Sequence, residues 1–337
     1  MRTTDPWLAF HIFYGEDPSH LLRDCLLPFA HACVAEGLVR RFFHMNYWLE
    51  GAHVRLRLEL SSPADRERVI YKAHHAIQPW IDAHPSSAPQ LSLRNPEGYR
   101  RLFEHEYPMS RFSDYIDQDG LPRLQPDNCI RERYYEREYD RYGGPAGMSL
   151  SQDIFQASTL FVEKLLRSGV VEARTSRLAT AALGMVCTAH TFLSSDESIS
   201  IFWESYHRGW TSSFSIPTSY TSPAAQQKIA AEAQALSRAV TPFRDVLHRY
   251  PDGSSLPEPY ATFTRHMASV VEKLHAAHAA QELDFGDSVA EAGHTWKENS
   301  TFLLRSYVHM TNNRMSVNIS DEAYLAYLLQ KLYRETP

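Results

Sequence analysis

The chain has 337 residues, with 34 Lys plus Arg against 40 Asp plus Glu and a formal charge of −6. Its 43% hydrophobic and 22% charged residues give material for one large core or two smaller ones. The acidic balance argues against affinity built on neutralising many phosphates, so direct nucleic-acid binding is not expected. No apolar run is long enough to span a bilayer, and the start Met1-Arg-Thr-Thr-Asp-Pro6 is no signal peptide, so no membrane partner is expected either.

The elements follow in chain order. Trp7 to Tyr14 is aromatic and branched, and reads as a first strand that Gly15 to Pro18 breaks. Ser19 is a predicted cap for a helix carrying Leu22, Leu26, Phe29 and Cys33, closed by Gly37. Arg41 to Trp48 reads as a second strand. It leads into Glu50-Gly-Ala-His-Val-Arg-Leu-Arg-Leu-Glu-Leu60, where alternation is strict. Val54, Leu56, Leu58 and Leu60 fall on one side, and His53, Arg55, Arg57 and Glu59 on the other, as a half-buried strand requires. Asp65 to Ile81 reads as a helix ending near Pro79. The βαββα order implies an antiparallel sheet covered by helices.

Pro85 to Gly120 is loop-like, rich in Pro, Ser, Asn and Asp. Arg131 to Tyr142 is charged and tyrosine-rich; it reads as a strand or extended segment ended by Gly143-Gly144-Pro145. Ser149 and Gln152 have capping-box spacing before a helix with Ile154, Phe155, Phe161, Leu165 and Leu166. The remainder reads as helical, with helices over Leu178 to Leu193, Ala224 to Leu247, Tyr260 to Leu274 and Trp296 to Met310, and a last one capped by Asp321. Loops are expected at Pro217 to Pro223 and Pro251 to Pro259. The expected class is α+β: an antiparallel sheet in the N-terminal half (1–145) packed against a mostly helical C-terminal half (146–337), as one domain over 1–337.

Three constellations carry candidate chemistry. On the strand, His53, Arg55 and Arg57 form a cationic row; guanidinium groups on a rigid strand can grip carboxylates in a bidentate way, although a solvated sheet face would also tolerate them. In Glu138-Tyr-Asp-Arg-Tyr-Gly-Gly144, Arg141 could hold an anion and Glu138 orient it, with a surface ion pair as the bland alternative. In His309-Met-Thr-Asn-Asn-Arg314, a histidine precedes polar groups massed at a helix end, with Asn313 and Arg314 among them. Histidine is the natural acid or base near neutral pH. Seventeen histidines and 18 tyrosines stand out, yet no His-x-x-x-His or His-Glu-x-x-His spacing occurs. No Gly-x-Gly-x-x-Gly, Walker or Gly-x-Ser-x-Gly motif occurs either. Neither metal nor organic cofactor is expected. Cys25, Cys33, Cys129 and Cys187 make no Cys-x-x-Cys pair and read as reduced residues of a cytoplasmic protein.

Taken together and in order, these stretches resemble the elimination-type domain at the C-terminal end of class I lanthipeptide dehydratases, a family that includes free-standing thiopeptide biosynthesis proteins. The resemblance rests on Trp7 to Tyr14, Gly51 to Arg57, Tyr135 to Gly144, Gln152 to Phe155, His309 to Arg314 and Glu322-Ala-Tyr-Leu325. It implies a tailoring enzyme for a leader-bearing precursor peptide. A separate tRNA-dependent dehydratase subunit would glutamylate serine or threonine, and this chain would remove glutamate to leave dehydroalanine or dehydrobutyrine. Carried over, Arg55 or Arg57 and Arg141 would hold glutamyl carboxylates, Glu138 would support Arg141, and His309 would move the proton. His53, Arg57, Asn313 and Arg314 would help bind substrate.

Free-standing relatives of the same fold instead join two dehydroalanines by a formal [4+2] cycloaddition to form a pyridine. For that reading Tyr307 is the added candidate, with Thr301 and Ser306 on the same segment. A third reading is a leader-peptide-binding partner without catalysis. Two positions depart from the elimination pattern: Ser316 stands where glycine is usual, and Gln152-Asp153 where an Ala-Glu pair is usual.

Overall fold

The computed structural model describes residues 5–87, 96–216, 223–286 and 295–334. The chain divides into two units, Met1–Glu136 and Arg137–Pro337. The class is α+β, with an antiparallel sheet in the first unit and helices in the second.

In the first unit, β1 (Trp7–Phe13), β2 (Val39–Tyr47), β3 (His53–Leu60) and β4 (Cys129–Arg133) form an antiparallel sheet in the order β2-β3-β1-β4. Its register pairs Leu8 with Leu58, Phe10 with Leu56 and Ile12 with Val54. That apolar face is buried, and α2 (Leu27–Ala35) and α3 (Arg66–Ala83) pack against the sheet. Each large apolar side chain so buried contributes ~1.5–3 kcal/mol.

Upstream of α2, α1 (Ser19–Leu21) and a π-helical turn over Leu22–Leu26 make the start of the same helix. Ser19 does not cap it: Pro18 holds the cap position, and Ser19 N–H donates to Asp17 Oδ1 at 2.9 Å. Gly37 does close it, with φ at +72°. Helix α3 runs through Pro79 to Ala83, because Ile77 and Ile81 on either side of the proline are both buried on one face.

The loop expected over Pro85 to Gly120 holds α4 (Pro96–Glu106) and a 3-10 turn over Met109–Tyr115; residues 88–95 lie outside the described set. The helix forms because Tyr99 and Phe103, one turn apart, are buried against Leu49, an interaction the flanking Pro and Asn residues disguise.

In the second unit, the tyrosine-rich stretch is not extended to its end: Tyr139–Tyr142 is a short helix, α5. Gly143 and Gly144 then take left-handed φ values of +81° and +74°. Helix α6 starts directly at Gly144 and runs to Arg167, with Pro145 preset for its first turn. Ser149 and Gln152 therefore lie inside α6 and form no capping box.

Next come α7 (Arg174–Phe192), α8 (Asp196–Ser213), α9 (Pro223–Arg249), α10 (Tyr260–Ala279), α11 (Trp296–Arg314) and α12 (Ile319–Arg334). The loop expected at Pro217 to Pro223 lies almost wholly outside the described residues. The cap of α12 is Asn318, whose Oδ1 accepts the Asp321 N–H at 2.9 Å, and Asp321 sits inside the first turn. Among the described residues no helix is long and apolar enough to cross a membrane.

Candidate active site

In the sheet unit, the strand-pairing register places the cationic row. His11 pairs with Arg55, Ala9 with Arg57 and Phe13 with His53, so these side chains share the face opposite the apolar one. Arg41 and Arg133 are on that face too, through their pairing with Glu59 and Ala9. Those two have carboxylates: Arg41 Nε lies 2.6 Å from Glu59, and Arg133 lies 3.8 Å from Glu50.

Arg55 and Arg57 have no carboxylate among the described residues. The Arg55 guanidinium lies over the Tyr47 ring, 3.2 Å from its centroid, and its Nε donates to His53 Nε2 at 3.3 Å. The Arg57 guanidinium lies over Tyr135 at 5.1 Å, with Nη2 3.4 Å from His11 Nε2. Its Nη1 is buried with no hydrogen-bond partner among the described residues, and Arg57 as a whole is 3% exposed.

The histidines beside these arginines are neutral. His53 and His11 stack at 4.6 Å, and His53 Nδ1–H donates to the Gly51 carbonyl at 2.8 Å, leaving Nε2 as the acceptor for Arg55. Burial first, and then Arg55, push His53 down to about 3. Burial and Arg57 push His11 down further still. Burial and the neighbouring Arg55 lower Arg57 to about 9, which leaves it charged at neutral pH. The result is an enclosed cationic patch with neutral imidazoles, suited to take up an anion.

In the helical unit, Arg141 on α5 donates to Glu138 Oε2 and to Ser306 Oγ on α11, both at 3.2 Å. Arg141 and Glu138 are both substantially exposed, so the ion pair itself is worth little.

His309 on α11 presents a different arrangement. Its Nδ1 lies 3.0 Å from Oε2 of Glu322, a fully buried residue in the first turn of α12. Tyr206 on α8 donates its hydroxyl to the other Glu322 oxygen. Burial and the Glu322 charge raise the Tyr206 hydroxyl well above its ordinary range, so it stays a donor. The Trp210 ring lies against the imidazole at 4.9 Å. This fixes the His309 tautomer with the proton on Nδ1, and Nε2 has no partner among the described residues. A histidine held by a buried carboxylate, with a free Nε2, is built for proton transfer.

The other expected residues are placed as follows. Tyr307 is fully buried, its hydroxyl 2.7 Å from Ser151 Oγ, and its ring stacked on Tyr142; burial pushes its hydroxyl far up. It packs the α6–α11 contact and is closed to substrate here. Arg314 is 1% exposed, donates to the Met310 carbonyl at 2.7 Å and covers the Phe155 ring, so it ties off the end of α11. Asn313 is half-buried at the same helix end, where its carbonyl accepts the Ser316 N–H. Ser306 and Thr301 serve as helix-face hydroxyls, bonded to Arg141 and to the Lys297 carbonyl.

Sequence reasoning missed His11, Tyr206, Trp210 and the role of Glu322. His11 alternates correctly on β1, and only the register with Arg55 reveals it. Glu322 lies on the next helix from His309, beyond any local spacing rule.

The fold is α+β, with a cationic face on the sheet unit and a histidine–carboxylate pair in the helical unit. The chain belongs to the family of the C-terminal domain of lantibiotic biosynthesis dehydratases, whose model matches residues 7–333. That places it in the tailoring of ribosomally made peptides. A search of the curated proteins found no match.

Among solved structures, the fold is similar to the pyridine synthase TbtD from thiomuracin biosynthesis, at a TM-score of 0.64 and 17% identity over 98% of both chains. It is similar to TsrL at 0.61 and 18%, over 98% of this chain and 94% of that one. It also matches the tRNA-dependent lantibiotic dehydratase MibB from Microbispora sp. 107891 at 0.52 and 18%, covering 97% of this chain but 28% of MibB.

Proposed function

We propose that the chain is a lyase that eliminates glutamate from glutamylated serine or threonine in a leader-bearing precursor peptide. The observation that carries this reading is the contrast on one sheet face. Arg41 and Arg133 have carboxylates of their own, whereas Arg55 and Arg57 have aromatic rings and neutral imidazoles. A buried guanidinium without a counter-charge is unfavourable unless a ligand supplies one. A glutamyl group carries the carboxylate that fits.

In the proposed step, His309 takes the α-proton through Nε2. The electrons of the broken C–H bond form the Cα=Cβ double bond, and the Cβ–O bond breaks. Glutamate leaves as an anion, and dehydroalanine or dehydrobutyrine remains. Glu322 stabilises the imidazolium formed at His309. Arg141, with Glu138, is the second anion-binding group. The partners this requires are the precursor peptide with its leader and a separate tRNA-dependent glutamylating subunit.

A second reading is a pyridine-forming [4+2] cycloaddition of two dehydroalanines with loss of the leader. What favours it is the near-complete coverage of both chains in the match to a pyridine synthase. A precursor carrying glutamylated serine and a precursor already carrying two dehydroalanines separate the two readings. Glutamate release from the first, abolished by His309→Ala, supports elimination. A leader fragment and a ring-bearing product from the second, with no glutamate from the first, would overturn it. Maturation unchanged by both His309→Ala and Arg141→Ala in a reconstituted pathway would leave only a non-catalytic, leader-binding role.

A further inference from the structure

Away from the residues assigned above, the helical unit gathers three side chains from three helices. His190 lies in the last turn of α7, Asp196 in the first turn of α8 and His248 in the last turn of α9. One potential ligand atom from each lies within 4.8 Å of the other two. His248 Nε2 is 3.0 Å from Asp196 Oδ1, and the two imidazoles meet edge to face at 5.2 Å.

An ordinary surface ion pair would account for Asp196 and His248. It gives no reason for a second, largely buried imidazole to be set against the pair. A neutral imidazole offers the lone pair of one ring nitrogen, which is what metal ligation requires.

The surroundings resemble an outer ligand shell. Arg244 faces the other Asp196 oxygen at 3.9 Å, and the Tyr333 hydroxyl lies 2.8 Å from His190 Nε2. Outer partners of this kind orient ligands and fix histidine tautomers. His190 also borders an open cleft shared with Tyr250, Glu272, His275 and Trp296, which gives solvent a route to a fourth position.

We propose that His190, Asp196 and His248 form a binding site for a divalent transition metal of zinc(II) type. Two imidazoles and one carboxylate suit zinc, and a borderline-soft ion is preferred over calcium or magnesium, which take oxygen ligands. The ion would draw the three groups inward to metal–ligand distances of about 2.0–2.2 Å and replace the His248–Asp196 hydrogen bond. It would clamp the α7–α8 connection to the end of α9. The Arg244 charge opposes a dication, so affinity should be micromolar, weaker than in sites of four cysteines.

The spacing rules applied to the sequence pass over this trio, because its members are separated by whole helices. The test uses the full chain, stripped with chelator and desalted. Zinc chloride is titrated calorimetrically, and cobalt(II) is followed by visible absorption. The wild type should bind one equivalent of zinc that His248→Ala and Asp196→Asn lose, with affinity at least tenfold weaker. Zinc should raise the unfolding temperature of the wild type but not of either variant. Both substituted side chains are partly exposed, so the metal-free variants should fold. Equal zinc stoichiometry and affinity in wild type and both variants, or no uptake by any, overturns the proposal.

Discussion

Replacing Glu322 by glutamine tests the proton-transfer assignment most sharply. The change is isosteric and keeps Tyr206 bonded, because the amide oxygen can accept the phenol hydroxyl. The amide nitrogen then faces His309 Nδ1, 3.0 Å from the present carboxylate oxygen. Two effects follow. The imidazolium formed during the reaction loses a charge partner at that separation, worth about 5 kcal/mol at an effective dielectric constant near 20. The amide N–H also requires Nδ1 to accept, which moves the imidazole proton to Nε2 and removes the base. Losing about half of the Coulomb contribution alone slows the reaction ~10²-fold, and tautomer reversal deepens the loss toward 10⁴-fold. The assay is glutamate release from a glutamylated precursor peptide, with imidazole ¹⁵N NMR reporting the tautomer. A folded Glu322→Gln variant within threefold of wild type, or one with the proton still on Nδ1, would refute the reasoning.

Arg57→Met should raise the unfolding temperature, because a buried cation with no carboxylate partner is replaced by a flexible apolar chain, a gain of ~1–3 kcal/mol by the precedent of buried charge replacement. The same variant should lose measurable binding of the glutamylated peptide; a lower unfolding temperature would mean that the Tyr135 and His11 contacts outweigh the desolvation. Ser316→Gly should stabilise the fold by up to ~1 kcal/mol, read as a shift in denaturant midpoint, because Ser316 is held at φ +56° where glycine is unstrained. Stability should also fall on acidification. His53 and His190 sit near 3 when folded and near 6.5 when unfolded, so the unfolded chain binds the extra protons. The loss begins as pH drops below about 6.5 and grows by ~1.4 kcal/mol per pH unit for each histidine until pH approaches 3. Urea unfolding that is flat between pH 6.5 and 5 would contradict the neutral assignment of both.

What the sequence made legible follows the periodicities. The strict alternation from Val54 to Leu60 identified β3 and put His53, Arg55 and Arg57 on one face, which the register bears out. The long apolar stripes located α10 and α11. Boundaries were lost where a strong local signal had a different use. Ser149 has capping spacing but lies inside α6, because Gly143, Gly144 and Pro145 already start the helix. Pro79 suggests a stop, yet burial of Ile81 carries α3 past it. The site was half-visible for the same reason. Residues on one strand reveal their company by alternation, but Glu322 reaches His309 from another helix, and Tyr206 and Trp210 from a third.

The Ser316 departure joins these two levels. In the family resemblance a glycine is usual there, and the structure supplies the reason. Val317 N–H bonds to the Asn312 carbonyl and Ser316 N–H to the Asn313 carbonyl, both at 3.0 Å, with Ser316 left-handed between them. This is the hydrogen-bond pattern of a Schellman motif, which closes a helix and turns the chain sharply. It ends α11 five residues beyond His309 and directs the chain into α12, where Glu322 waits. The terminus of α11 therefore sets the His309–Glu322 distance, and the buried Arg314, bonded to the Met310 carbonyl, braces the same turn. In the proposed elimination, residues 312–316 would act through this geometry. A serine in place of glycine keeps the turn at a small conformational cost, so the elimination reading does not require glycine at position 316.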